Sequence, residues 1–120
     1  MEINELVQKA YQNAIEKGFW EYFYNNRIIQ VIENTKEQDE ICDTLENAFI
    51  SQNLLLIVSE ISEAMEGLRK GDMDNFREEL ADVAIRLADL AGALEIDLEE
   101  EIVKKMEKNK NRPYMHNKKF

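Results

Sequence analysis

The chain has 120 residues, 44% of them hydrophobic and 33% charged, which is typical of one folded domain, here expected over residues 1–120. The formal net charge of −10 makes an acidic membrane surface or a nucleic-acid polymer an unfavourable partner. The only cysteine, Cys42, cannot form an internal disulfide, and the first residues lack a signal-peptide pattern, so we expect a cytoplasmic protein.

Helical periodicity dominates the first half of the chain. Leu6, Ala10 and Ala14 recur at helical spacing, which predicts a helix over residues 2–17 that ends at Gly18. Residues 27–34 fit a short helix or a strand, and we favour the helix. A long helix is predicted over residues 39–70. Its apolar residues step by three and four along one stripe: Leu54, Ile57, Val58, Ile61, Met65 and Leu68.

Two further helices complete the predicted fold. After Gly71, either Asp72 or Asp74 caps a third helix, and Asp97 caps a fourth that runs to about residue 109. The third helix has its own apolar stripe: Phe76, Leu80, Val83, Leu87, Leu90 and Leu94. No strand is predicted, so the fold class is all-α, a bundle of four to five helices around an antiparallel hairpin. Apolar residues on more than one side of the long helix predict a homodimer or homotetramer.

Two carboxylate pairs of identical spacing flank the predicted hairpin turn. Glu60 and Glu63 share one face of the long helix, and Glu79 and Asp82 share one face of the third. Antiparallel packing across a short turn would bring the two pairs to similar heights, so that four carboxylates meet. Repulsion between like charges makes such a cluster unstable without a counter-ion. These four residues are therefore the predicted metal ligands.

The donor atoms indicate which metal the cluster would bind. Carboxylate oxygens suit Mg²⁺, with Mn²⁺ as the alternative, whereas zinc or a di-iron site would usually include histidine or cysteine. The sole histidine, His116, lies in the C-terminal tail, outside any such spacing. Because bound Mg²⁺ commonly shares its ligation with substrate phosphates, the acidic cluster could hold a polyanion.

Cations are concentrated at the C-terminal end. From Lys104 onward the net charge is +6, and the rest of the chain carries −16. Four residues there recur at intervals of three and four, so they either stabilise the helix dipole or contact phosphate oxygens. They are Lys105, Lys108, Asn109 and Arg112. Arg86 lies within reach of Asp82 and Asp89 on the third helix, where a structural salt bridge and a site role both remain open.

The carboxylate motif and three other stretches resemble the MazG-like all-α nucleoside triphosphate pyrophosphohydrolases, a family related to dimeric dUTPases and dCTPases. The motif is Glu60-Ile-Ser-Glu63, followed after fifteen residues by Glu79-Leu-Ala-Asp82. The other stretches are QNAIEKGFW (12–20), EELADVAIRLADLAGALEIDLEEEI (78–102) and KMEKNKNRPYMHNKKF (105–120). Ser59 departs from the family's fuller signature, which has a further glutamate there, and residues 21–45 match poorly.

The resemblance implies hydrolysis of a nucleoside triphosphate between the α- and β-phosphates, giving a monophosphate and pyrophosphate with Mg²⁺. It implies that the four carboxylates bind the metal or activate water, and that Lys108 and Arg112 contact phosphate. It makes Trp20 and Tyr114 candidates to stack on the nucleobase, although an aromatic residue at a helix end is commonly part of the core. Lys105 and Asn109 complete the predicted substrate-binding set.

Two other functions fit the same residues. A catalytically silent helical bundle could bind a metal or a nucleotide as a regulator. An acidic interaction module, similar to an antitoxin-like adaptor, could instead bind a protein through its helix faces. Turnover of a nucleotide distinguishes the enzyme from both.

Overall fold

Four helices make up most of residues 2–25 and 36–112, which are the residues that this computed structural model describes. Helix α1 spans Ile3–Glu16, α2 spans Lys36–Lys70, α3 spans Met73–Ala93 and α4 spans Leu98–Lys110, and residues 21–25 are also helical. No strand occurs in these two ranges, so the predicted all-α class is confirmed there. The element predicted at 27–34 lies outside them. None of the described helices is long and apolar enough to cross a membrane.

The helix ends follow local capping signals. The Asp72 carboxylate accepts a hydrogen bond from the backbone N–H of Asn75 at 3.1 Å, so Asp72, and not Asp74, caps α3. Asp97 caps α4 in the same way through the N–H of Glu100, also at 3.1 Å. Gly71 has a φ of 71°, a left-handed conformation that glycine adopts without strain. A connection of only two residues therefore joins α2 to α3.

Helix α3 lies at the centre of the fold, since it packs against both α1 and α2. A Cβ added to Gly92 of α3 would lie 2.7 Å from the Cβ of Tyr11, so glycine is what allows α1 and α3 to approach so closely. Helix α4 packs on α1, where the Asn4 side-chain amide donates a 2.9 Å hydrogen bond to Glu99. These contacts bring the faces of three helices, α1, α2 and α3, next to one another.

The core is aromatic. Trp20 and Phe23, 1% and 2% exposed, pack with Leu90 and Ala93 of α3. Phe49 of α2 packs against this group, with its ring centroid 5.5 Å from that of Trp20. Edge-to-face contacts of this kind add to the free energy of burial. The segment after α1 thus fixes α1, α2 and α3 around one cluster.

The apolar stripe predicted on α2 is largely open to solvent. Five of its six residues are 49–56% exposed, namely Leu54, Val58, Ile61, Met65 and Leu68, which we call the apolar flank. Only Ile57 packs against the core. On α3, Leu80 and Leu87 of the predicted stripe are exposed as well, whereas Leu90 is buried. The α2 face that packs inward carries Asn53, Ala64 and Gly67, small residues that give a weak hydrophobic signal.

Candidate metal centre

Three of the four predicted carboxylates form one group. Glu60 of α2 and Glu79 and Asp82 of α3 each place a carboxylate oxygen within 4.8 Å of the others. The spacing of three on α3 puts its two acids on one face, and the packing of α2 on α3 brings Glu60 to that face. We call these three residues the carboxylate cluster. The spacing predicted that Glu63 would join them, and it is not part of this group.

Glu79 is the buried member of the cluster. Glu79 is only 8% exposed, and its Oε2 atom is buried without a hydrogen-bond partner. The hydrogen bond with Glu60, burial and the charge of Glu63 together raise the pKa of Glu79 to about 7. The same hydrogen bond, aided by Arg86 and opposed by burial, lowers the pKa of Glu60. The Glu79 carboxyl therefore keeps its proton to a higher pH than an ordinary glutamate does.

Glu63 lies at the edge of the cluster. Its side chain is exposed, and it faces Ser59 and Arg69 across a shallow surface depression. Its charge and a side-chain hydrogen bond help to raise the pKa of Glu79, and a hydrogen bond with Glu60 helps to lower the pKa of that residue, so Glu63 contacts the cluster from its edge. Ser59, at the position of the missing family glutamate, is also exposed there. Glu63 thus contacts the cluster but is not one of the three residues whose oxygens lie within 4.8 Å of one another.

Arg86 bridges α2 and α3 beside the cluster. Its Nε donates a 2.8 Å hydrogen bond to Glu60 Oε1, and the two side chains are 36% and 13% exposed. The sequence placed Arg86 within reach of Asp82 and Asp89 on its own helix, but the contact with Glu60 crosses to another helix. A pattern within one helix cannot predict such a partner. The guanidinium thus neutralises part of the cluster's charge.

A cleft of about 400 Å³ opens next to the cluster. Glu60, Asp82, Arg86 and Asp89 line one wall together with Ile85. The opposite wall belongs to α1 and its following turn: Ala10, Asn13, Ala14, Lys17 and Phe19. The volume lies within the range of small-molecule sites. Two of the three cluster residues therefore face a space large enough for a ligand.

Two polar residues of the cleft, Asn13 and Lys17, were not among the predicted site residues. Ala10, Asn13, Ala14 and Lys17 follow the spacing i, i+3, i+4 and i+7, so they share one face of α1. That spacing could have identified the set. It could not have shown which helix faces it, because this depends on the packing of α1 against α3.

Trp20 lies beneath the cleft and not in it. It is 1% exposed, and its Nε1 donates a 2.7 Å hydrogen bond to the buried Asp89 carboxylate. This burial fits a core role for Trp20, and its stacking on a nucleobase, which the resemblance implies, stays a prediction. Burial raises the pKa of Asp89, while the Trp20 hydrogen bond and the Arg86 charge oppose that change. Phe19, in contact with the Trp20 ring, is the aromatic residue that lines the cleft.

The basic residues predicted to bind phosphate lie on or just after α4. Lys105, Lys108 and Asn109 are exposed, and none of them lines the cleft. Arg112 is half-buried, and its backbone N–H bonds to the carbonyl of Asn109. Tyr114 lies outside the described residues. The structure therefore does not place the four described residues in the cleft beside the carboxylate cluster, and the phosphate role of these four and the stacking role of Tyr114 stay predictions.

The donor set of the cluster fits a hard divalent cation. All its potential ligand atoms are carboxylate oxygens, which Mg²⁺ and Mn²⁺ prefer. The unpartnered Glu79 Oε2 is a buried acceptor that a cation would satisfy. Glu60, Glu79 and Asp82 could hold such an ion, and the geometry does not select between the two metals.

The helical fold and its acidic cluster define a class of all-α proteins with a carboxylate site suited to a divalent cation. A family model described as MazG-like matches residues 54–120, more than half of the chain and the whole of the cluster. The chain belongs to the MazG-like family, as the sequence motif predicts. No significant match was found among curated proteins or among solved structures.

Proposed function

We propose that the protein is a Mg²⁺-dependent nucleoside triphosphate pyrophosphohydrolase that releases a nucleoside monophosphate and pyrophosphate. The observation that carries this proposal is the carboxylate cluster, with its unpartnered buried Glu79 oxygen, inside the segment that matches the MazG-like family. When bound, Mg²⁺ would neutralise phosphate charge and lower the pKa of an attacking water. The family match supports the fold of such an enzyme; the reaction itself is the proposal.

The carboxylates divide into two proposed roles. Glu60, Glu79 and Asp82 would hold the ion, since their oxygens already lie within 4.8 Å of one another. Glu63, at the exposed edge, would orient or deprotonate the water. Glu63→Gln should then abolish turnover while Mg²⁺ affinity remains, whereas Glu79→Gln should abolish both. Loss of Mg²⁺ binding in both variants would make Glu63 a ligand instead.

The nucleotide would lie in the cleft. Because Glu60 and Asp82 are both on its wall, a triphosphate in the cleft reaches the cluster. Phe19 offers an aromatic contact for a base, and Asn13 offers a side-chain amide that can donate and accept hydrogen bonds. Arg112 keeps its predicted phosphate role in this proposal. An unchanged Michaelis constant in Arg112→Ala would remove it.

The test is a product analysis. Purified protein is incubated with Mg²⁺ and a panel of ribo- and deoxyribonucleoside triphosphates, and monophosphate, diphosphate, pyrophosphate and orthophosphate are separated. We expect monophosphate with pyrophosphate, lost in Glu79→Gln and retained in Glu78→Gln, a matched change at the exposed neighbouring position. If no nucleotide in the panel is hydrolysed while Mg²⁺ still binds, the regulatory bundle is favoured. Release of diphosphate and orthophosphate would contradict cleavage between the α- and β-phosphates.

We also propose that the protein assembles as a homodimer or homotetramer, with the α2–α3 pair as an antiparallel central hairpin. The hairpin is supported by the two-residue connection and the contacts between α2 and α3. The assembly is supported by the apolar flank, five large apolar residues about half exposed along one side of α2. Ile61→Lys within the flank should lower the mass measured by light scattering. Gln52→Lys, the same charge change on the opposite side of α2, should leave it unchanged. A wild-type monomer would contradict the proposal.

A further inference from the structure

Arg86 and a bound cation would compete for the same carboxylate. The Arg86 Nε lies 2.8 Å from Glu60 Oε1, in a contact that is only partly exposed. Glu60 is also one of the three residues whose oxygens converge in the carboxylate cluster. A carboxylate that ligates a divalent cation loses much of its negative charge to the metal, so its attraction for a guanidinium falls. The ion pair seen here is therefore weakened whenever Glu60 becomes a ligand.

The cleft restricts where the released guanidinium could find another partner. Asp89, the acid one turn farther along α3, is buried and already accepts the Trp20 hydrogen bond. Asp82, one turn before, belongs to the cluster and would itself ligate the cation. Arg86 lines the cleft, and its guanidinium carries five N–H donors in a planar fork that suits phosphate oxygens.

We propose that Arg86 exchanges partners during the catalytic cycle: it pairs with Glu60 in the metal-free protein and with substrate phosphate oxygens once Glu60 ligates a divalent cation. This inference rests on the proposed function, because it takes a nucleoside triphosphate as the ligand of the cleft. Metal binding then does two things at one carboxylate. It completes the cation site, and it makes a phosphate-binding side chain available in the same cleft.

A purely structural salt bridge leads to different expectations. Such a bridge would persist in the presence of Mg²⁺, and its removal would lower stability without changing substrate binding. The exchange instead couples Arg86 to both ligands. Removing Arg86 should free Glu60 for the cation and at the same time weaken binding of the triphosphate.

The first experiment observes Arg86 directly by the NMR signal of its Nε–H group, assigned by its loss in Arg86→Lys. Mg²⁺ alone should shift this signal and speed its exchange with water. Addition of a nucleoside triphosphate analogue with a methylene group between the α- and β-phosphates should slow the exchange again, at a new chemical shift. A signal unchanged through both additions would overturn the proposal.

The second experiment compares Arg86→Gln with Arg77→Gln. Arg77 also lies on α3, but its ion pair is with the exposed Asp74. In Arg86→Gln, calorimetry should show several-fold tighter Mg²⁺ binding without nucleotide, and the Michaelis constant should rise at least about tenfold. Arg77→Gln carries the same charge change and should match wild type in both. Equal Mg²⁺ affinity and an unchanged Michaelis constant in Arg86→Gln would refute the exchange.

A conservative variant keeps the proposal testable if Arg86→Gln does not fold. Arg86→Lys retains the charge without the planar fork, so we expect an intermediate Michaelis constant. A wild-type Michaelis constant in this variant would contradict a guanidinium contact with phosphate.

Failure of the proposed function would give a different result from failure of the exchange. The wild-type protein would then hydrolyse no triphosphate, while Mg²⁺ alone would still release Arg86 from Glu60 in the NMR experiment.

Discussion

Replacing Trp20 with phenylalanine should destabilise the fold by about 2.5–4 kcal/mol. The indole donates a 2.7 Å hydrogen bond to Asp89, and the two residues are only 1% and 8% exposed. Leaving a buried charged acceptor without its donor costs about 1.5–3 kcal/mol, and the smaller ring adds about 1 kcal/mol. The pKa of Asp89, already raised by burial, should rise further, because the Trp20 hydrogen bond opposes that effect.

The assay is urea denaturation followed by circular dichroism at a fixed protein concentration, since the substitution removes the only tryptophan fluorophore. In an Asp89→Asn background, Trp20→Phe should cost at least about 1 kcal/mol less, because an unpartnered neutral amide is easier to bury than a carboxylate. Tyr22→Phe, at an 82% exposed position, is the control and should change stability by less than about 0.5 kcal/mol. Additive losses, within about 0.5 kcal/mol, would refute coupling between Trp20 and Asp89.

Three further predictions concern pH, helix packing and capping. The metal-free protein should lose stability as the pH rises from 5 to 8: the pKa of Glu79 is 4.5 ordinarily and about 7 in the fold, so the folded state binds more protons in this window. Both Mg²⁺ and the Glu79→Gln substitution should make the melting temperature less dependent on pH. A melting temperature of the metal-free wild-type protein that increases from pH 5 to pH 8 would contradict this prediction. Gly92→Ala should cost about 1–3 kcal/mol because its Cβ meets Tyr11, and a Tyr11→Ala background should relieve the loss in the same thermal melts. Asp72→Ala should cost about 1 kcal/mol, more than Asp74→Ala, and equal losses would remove the capping role.

Helix boundaries were predictable because the signals that set them are local. Gly18, Gly71 and the cap Asp97 act within a few residues of the chain: α1 ends two residues before Gly18, α2 ends directly before Gly71, and α4 begins directly after Asp97. Choosing Asp72 over Asp74 needed the structure, since both residue types cap helices equally well. The single domain over residues 1–120 stays a prediction.

The direction in which a helix face points was much harder to predict. The spacing of the apolar flank identifies an apolar face of α2 but not what covers it. The inward face instead carries Ala64 and Gly67, where close approach matters more than hydrophobicity. A Cβ at Gly67 would lie 3.1 Å from the backbone N of Phe76 and 3.3 Å from the backbone O of Asp72, so the absence of a side chain there favours the close contact between α2 and the start of α3.

The carboxylate part of the site was predictable because the same three-residue spacing occurs on two helices that a short turn joins. The pairs at three-residue intervals, joined by a short turn, predicted that four carboxylates meet, and three of them, Glu60, Glu79 and Asp82, lie within 4.8 Å of one another. Partners contributed by other elements could not be deduced in this way. The bond from Arg86 to Glu60 and the position of Lys17 across the cleft depend on helix packing.

In the proposed function, the charges around the cleft favour joint action of a divalent cation and Arg86 on a polyanionic substrate. Three carboxylates, Glu60, Asp82 and Asp89, face the cleft against two cations, Lys17 and Arg86. Of these cations, Arg86 is already paired with Glu60, so the metal-free cleft repels a triphosphate. Ligation of Glu60 and Asp82 would change the sign of the local field and free the guanidinium in the same event. A cleft built in this way should therefore bind metal before nucleotide, or both together, and bind nucleotide alone only weakly.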